Sequence, residues 1–329
     1  MSLKSVETTQ PGHRLFDAPI VAPDEVRPGQ IATVGMPSDF THSSRIGTRF
    51  GPDALREATS ALWGRWCGME VVDPDTGQRS ISRDNWIVDC GDAPIDTTSV
   101  ERTTEAIAAM TQATAMQGGV PLALGGDHYN SYPACLGVSR ALSEVQPDAR
   151  IGYIQIDGHL DFSDRLGAWG SHNHATNARR IAELPNVDLS AMAWVGISGW
   201  VDGDELGRIE AGGGLVLSAG DVQRLGAKAA AEQALTHAMR DSDVLYLTID
   251  IDAMDSGYLP GTGSIVHSGL TPRQYYDMLS VMSEAPFCGL DIVEVSPPLD
   301  PSGRTPYLAA EMLVQVLRRF HSQPLSAAA

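Results

Sequence analysis

Eight short runs rich in β-branched and aliphatic residues recur along this chain: Ile31–Gly35, Trp86–Asp89, Val120–Leu124, Ile151–Ile156, Ala193–Ile197, Gly214–Leu217, Val244–Ile249 and Cys288–Val293. Each predicts a strand buried on both faces, because none shows the alternation of a half-solvated strand. Helical patterns lie between them. Tyr275, Met278, Leu279 and Met282 fall at i, i+3, i+4 and i+7, opened by Thr271 as N-cap and Pro272 at the first helical position. Ala309, Met312, Leu313, Val316, Leu317 and Phe320 repeat the pattern behind Thr305 and Pro306. Parallel neighbours need crossover connections, so the alternation predicts one α/β domain whose sheet is covered on both faces. The count of eight is equally compatible with a closed barrel.

Organisation is otherwise plain. Residues 1–28 are polar and Pro-containing and predict a flexible N-terminal segment; 29–322 read as a single catalytic domain, and 323–329 as a loose tail. The chain carries 23 Lys+Arg against 41 Asp+Glu, a formal charge of −18. That excess repels nucleic acid and anionic membrane surfaces and attracts small cations to any cleft that concentrates carboxylates. Neither a membrane span nor a signal-peptide core is seen, so a cytoplasmic location is expected. Cys67, Cys90, Cys135 and Cys288 are scattered with no CxxC pair and predict buried free thiols.

The chemistry lies just beyond four of the strands. They run into Gly125-Gly126-Asp127-His128, Asp157-Gly158-His159-Leu160-Asp161, Asp250-Ile251-Asp252-Ala253-Met254-Asp255 and Glu294. Ligands of open α/β sheets bind at the carboxyl ends of strands. In extended backbone Asp157, His159 and Asp161 share a face, as do Asp250 and Asp252. With His128 this makes two imidazoles and four carboxylates, more negative charge than a buried site holds without cations. Two divalent metal ions resolve the conflict, bridged by shared carboxylates as in two-metal hydrolytic sites. The oxygen-rich set favours Mn²⁺, with Ni²⁺ or Co²⁺ also compatible. Asp127 and Asp255 read as capping or turn residues.

These segments, with Pro260-Gly261-Thr262-Gly263, Asp291-Ile292-Val293-Glu294-Val295 and Gly47-Thr48-Arg49-Phe50-Gly51-Pro52, resemble the successive signatures of the ureohydrolase family, which contains arginase and agmatinase. The resemblance implies a three-layer α/β/α fold with an eight-stranded, mostly parallel sheet. It implies a di-manganese centre that hydrolyses a guanidino group to urea and an amine, usually in homotrimers or hexamers. His128, Asp157, Asp161 and Asp250 would ligate one metal, and His159, Asp157, Asp250 and Asp252 the other. His174, in Asn173-His174-Ala175-Thr176, would be the acid that protonates the departing amine, preferred over His172. Glu294 would grip the guanidinium, with Asp161 helping to orient its NH groups.

Several positions depart from the family pattern. Gly158 stands where Ala is usual, which predicts a looser backbone. Ser256 replaces a common Pro, and Ser264–Ser268 replaces a Thr-Pro-containing loop. These changes spare the ligands and alter the rim, where Thr41–Arg45, Arg165, Trp169, His172 and His267 are candidates for contact with the substrate tail. An arginine there would suit a guanidino acid; Trp169 or His267 would suit an apolar substituent. The expected substrate is therefore a small cationic guanidino compound, of the agmatine or guanidino-acid type. Guanidine, methylguanidine and a metformin-like biguanide are the alternatives. A non-catalytic role beside a paralogous active subunit is disfavoured, because all six ligands, His174 and Glu294 are present.

Overall fold

The structure, a computed structural model, describes residues 8–9, 11–63, 69–75, 77, 79–83 and 85–324. The eight apolar runs form the strands β1 (Ile31–Met36), β2 (Ile87–Asp92), β3 (Val120–Gly125), β4 (Ile151–Ile156), β5 (Val187–Ile197), β6 (Leu215–Ser218), β7 (Val244–Asp250) and β8 (Phe287–Val293). They make one open sheet in the order β2-β1-β3-β8-β7-β4-β5-β6, parallel at every pairing. The barrel alternative is excluded. β8, last in sequence, lies between β3 and β7 and joins the two halves of the sheet.

Successive residues of the strands feed two separate cores. Leu122, Ile154, Val195, Leu247 and Ile292 belong to one, and Ala123, Tyr153, Trp194, Tyr246 and Val293 to the other. The first is covered by α1 (Gly51–Trp63) and the second by α2 (Val100–Met116), α3 (Ser131–Val145), α4 (Asn177–Ile181) and α5 (Gly203–Ala211). Further along the chain α6 (Ala219–Leu225), α7 (Ala227–Ala238), α8 (Pro272–Met282) and α9 (Arg304–Val316) complete the first layer. The result is the three-layer α/β/α architecture. α8 begins as its sequence predicts, with the Thr271 hydroxyl accepting from the Gln274 N–H. α9 does not: its N-cap is Gly303, in left-handed backbone, and the Thr305 hydroxyl instead accepts the Gly261 N–H at 3.0 Å. That contact ties the 260–263 loop to α9.

Residues 11–28 pack against the domain: Leu15 and Phe16 are buried, and the Leu15 N–H donates to Asp89. The anchor is a buried ion network in which Arg56 donates Nε and Nη2 to Asp89 at 2.9 and 3.0 Å and Nη1 to Asp92 at 2.6 Å. At the other end, Ser322–Pro324 pairs antiparallel with Arg79–Ser82, which in turn pairs with Glu70–Val72. Residues 1–7 and 325–329 lie outside the described residues, as does Cys67. Cys90 and Cys135 are buried free thiols; Cys288 is half-buried, its Sγ 3.3 Å from the Leu245 carbonyl. No helix among the described residues is long and apolar enough to cross a membrane.

Candidate metal centre

Strand register assembles the site. Ile156 of β4 pairs with Ile249 of β7, and Val293 of β8 pairs with Asp250, so Asp157, Asp250 and Glu294 emerge side by side at the carboxyl edge. β3, on the other flank of β8, delivers His128 through the turn His128–Asn130, which Asp127 caps by accepting the Tyr129 N–H. Two non-glycine residues here adopt left-handed backbone, Asp161 (φ 48°) and Glu294 (φ 65°). Such strain persists only where surrounding structure enforces it and concentrates at functional sites.

Nδ1 of His128 lies 3.0 Å from Asp157 Oδ2, 2.9 Å from Asp161 Oδ2 and 3.0 Å from Asp250 Oδ2. Nδ1 of His159 lies 3.1 Å from Asp252 Oδ2 and 3.5 Å from Asp157 Oδ1. Asp157 thus turns one oxygen to each imidazole, and two cation-sized groups share it: His128, Asp157 and Asp161, and Asp157, His159 and Asp252. Asp250 faces the first group, while its Oδ1 accepts the Asp252 N–H at 2.8 Å. The four carboxylates are buried, and His128 Nδ1 is buried without a hydrogen-bond partner among the described residues. A nitrogen aimed at three carboxylate oxygens and bonded to none is what a metal ligand requires, so the donor set fits a pair of divalent cations.

Hydrogen bonds behind the ligands fix their orientation. His128 Nε2 meets the Thr248 hydroxyl at 3.1 Å, and that hydroxyl donates to Asp291. Asp291 also accepts from Ser131 at 3.0 Å and from Tyr246 at 2.8 Å. Because Thr248 donates to Asp291, its oxygen accepts the Nε2 proton of His128, which leaves Nδ1 as the free lone pair. Behind Asp157, Tyr153 donates to Gln155 at 2.7 Å and Gln155 donates to Asp157 Oδ2 at 2.6 Å. Without metal the cluster retains protons. Burial, then the charge of Asp157, raises Asp161 to about 7; burial raises Asp252 to about 6, against the pull of His159. Burial and Asp252 raise Asp250 as well.

Beside the cluster stand Glu294, His174 and His42, a third group of potential ligand atoms. Glu294 Oε1 accepts the His128 N–H at 2.9 Å. His174 bonds to the Ser43 hydroxyl through Nε2 at 2.7 Å, and burial lowers its pKa to about 4. It is therefore neutral at physiological pH and lies below the ordinary imidazole range near 6.5 on which its acid role was premised. His172 is elsewhere, bonded to the Tyr129 hydroxyl at 3.1 Å. Among the described residues Arg165, Trp169, His172 and His267 make no hydrogen bond to the ligand cluster; Arg165 and Trp169 are exposed, and His267 bonds to Ser256. Asp255 accepts the N–H groups of Gly257 and Ser268 and closes a turn. At Gly158 the structure gives a steric reason in place of a looser backbone: an added Cβ would lie 2.6 Å from Val266 Cγ1.

Sequence reading missed Thr248 and the Tyr153–Gln155 pair, and placed His42 only among the rim candidates. Tyr153, Gln155 and Asp157 occupy alternate positions of β4, so a polar stripe on a doubly buried strand is the available signal. His42 had only its place in the Thr41–Arg45 loop.

The eight-stranded parallel sheet gathers buried carboxylates and imidazoles that could hold cations at its carboxyl edge. The arginase-family model matches residues 29–318, and the chain belongs to the arginase family of hydrolases. It is 30% identical to the mitochondrial guanidino acid hydrolase of Homo sapiens, over 87% of this chain and 77% of that protein. It is 28% identical to the guanidinopropionase of Pseudomonas aeruginosa, over 88% and 86%. Among solved structures, a hypothetical agmatinase from Burkholderia thailandensis superposes with a TM-score of 0.76 at 27% identity, covering 93% of this chain and 89% of that one. The proclavaminate amidino hydrolase of Streptomyces clavuligerus shares the fold, with a TM-score of 0.78 at 24% identity over 96% and 98%.

Proposed function

We propose that this protein hydrolyses a guanidino C–N bond of a small cationic substrate, releasing urea or a substituted urea and an amine, with two divalent metal ions. The observation that carries the reading is Asp157 shared between two groups of potential cation ligands, with the Glu294 carboxylate alongside. Relatives named guanidino acid hydrolase, guanidinopropionase and agmatinase support the substrate class.

His128, Asp157, Asp161 and Asp250 would hold one ion, and His159, Asp157, Asp250 and Asp252 the other. A bound pair supplies Lewis acidity and shifts the ionisation of water toward neutral pH. The chain's own residues do the rest. Glu294, buried and ionised, pairs with the guanidinium and fixes the plane of its three nitrogens. Asp161 presents a further carboxylate to the NH groups. His174, neutral at the start, takes up at a ring nitrogen the proton that the water adding to the guanidino carbon gives up, and returns it to the amine as its C–N bond breaks, with Ser43 holding Nε2.

Substrates without a carboxylate tail form a second reading, favoured by Arg45: its Nε and Nη2 donate to the carbonyls of Gly263 and Thr262 at 3.1 and 2.9 Å, which occupies them. The test is urea release by purified protein loaded with Mn²⁺ or Ni²⁺, across agmatine, guanidino acids, guanidine, methylguanidine and a biguanide. Turnover of at least one compound, lost on chelation and restored by metal, is expected. Full activity after exhaustive chelation, or no product from any compound, overturns the proposal.

A further inference from the structure

The carboxylate assigned above to the guanidinium is already held from within. Glu294 Oε2 lies 3.3 Å from His42 Nε2 in an ion-pair contact, and both atoms are buried without a hydrogen-bond partner among the described residues. Nδ1 of His42 accepts the Ser44 N–H at 2.9 Å, so the ring proton sits on Nε2 and points at Glu294. That proton faces the Glu294 carboxylate across the ion-pair contact.

The ring is also fixed by its face. His42 stacks on His174 with centroids 4.3 Å apart and planes 11° from parallel. The 260–263 loop closes the third side: a Cβ at Gly263 would lie 2.5 Å from His42 Nε2 and 2.7 Å from Cε1. No side chain fits there while His42 occupies its place. The loop after β1, the loop carrying His174 and the loop after β7 therefore converge on one imidazole.

We propose that His42 is a positioning residue with two separable tasks: its Nε2–H aims the Glu294 carboxylate at the substrate, and its ring face sets the orientation of His174. The inference rests on the functional reading above. It predicts that the two tasks come apart by substitution. His42→Gln keeps an N–H donor and loses the stack; its KM stays near wild type while kcat falls by about tenfold or more. His42→Phe keeps a stacking face and loses the donor; its KM rises by about tenfold or more while kcat is largely retained. Calorimetric titration of the Mn²⁺-loaded proteins with guanidinium chloride follows KM, weakened in His42→Phe and unchanged in His42→Gln. Metal content by elemental analysis equals that of wild type in both.

A merely structural role would move kcat and KM together in both variants, and that result overturns the proposal. If His42→Phe fails to fold, His42→Gly decides: added imidazole is expected to restore activity, and absence of rescue in folded, metal-loaded protein refutes the assignment. A wild-type protein that hydrolyses no guanidino compound overturns the functional reading instead, and the two failures are thereby distinguished.

Discussion

Replacing Thr248 by valine removes one hydroxyl and keeps the shape of a fully buried side chain. That hydroxyl accepts from His128 Nε2 at 3.1 Å and donates to Asp291. Asp291 keeps its bonds from Ser131 and Tyr246 in the variant, so its loss is partial. His128 loses the acceptor that holds its proton on Nε2, and a buried donor without a partner costs about 1–3 kcal/mol. The ring then relieves this by rotating or by moving the proton to Nδ1, and either change withdraws the lone pair from the carboxylate cluster. Loss of such a supporting hydrogen bond typically lowers metal affinity about 10–100-fold. At about 1.4 kcal/mol per factor of ten this is about 1.4–2.8 kcal/mol, within the range set by the orphaned donor. The assay is competition for Mn²⁺ against a chromogenic chelator, with the bound metal counted by elemental analysis. Thr248→Ser, which keeps the hydroxyl, is expected to bind metal like wild type. A valine variant that binds both equivalents with unchanged affinity would refute the claim that Thr248 sets the His128 tautomer.

Three other outcomes are expected. Metal affinity falls as pH drops from 7 to 6, because Asp161 and Asp252 take up protons near 7 and 6 that must leave before metal binds; each proton released contributes about a tenfold change per pH unit, and a pH-independent affinity from pH 5 to 8 would contradict this. Arg56→Met leaves the buried Asp89 carboxylate without its partner and lowers unfolding free energy by about 3–5 kcal/mol in a denaturant titration; a near-neutral substitution would show the network to be dispensable. Gly158→Ala forces Val266 aside and destabilises by about 1–3 kcal/mol, and adding Val266→Ala recovers most of that loss; simple additivity of the two would exclude the contact.

The fold was largely legible because doubly buried strands leave uninterrupted apolar runs, and because ligands at strand ends interrupt them with Asp and His. Periodicity could not choose the open sheet over the barrel, since that choice depends on which strands pair. The start of β5 at Val187 was hidden by Asp188 and Ser190, whose polarity suits a solvent-facing strand end. Contacts of the 1–28 segment were hidden because they reach distant residues: the Leu15 N–H donates to Asp89, 74 positions away, and the Phe16 N–H to Thr59, 43 positions away. His42 was illegible for the same reason: nothing local in a polar loop records that its partner is Glu294. Thr305 satisfied the helix-start rule, yet its hydroxyl serves the loop at Gly261.

The place of β8 between β3 and β7 has a consequence for biosynthesis. A nascent chain that has emerged only as far as α8 can pair β2, β1 and β3 as one leaflet and β7, β4, β5 and β6 as another, with nothing to zip them together. His128 then rides on one leaflet and its acidic partners on the other. Only when β8 slides into the gap do the leaflets lock, so a ribosome stalled before that strand displays His128 apart from Asp157, Asp161 and Asp250, and their meeting certifies that translation ran past Glu294.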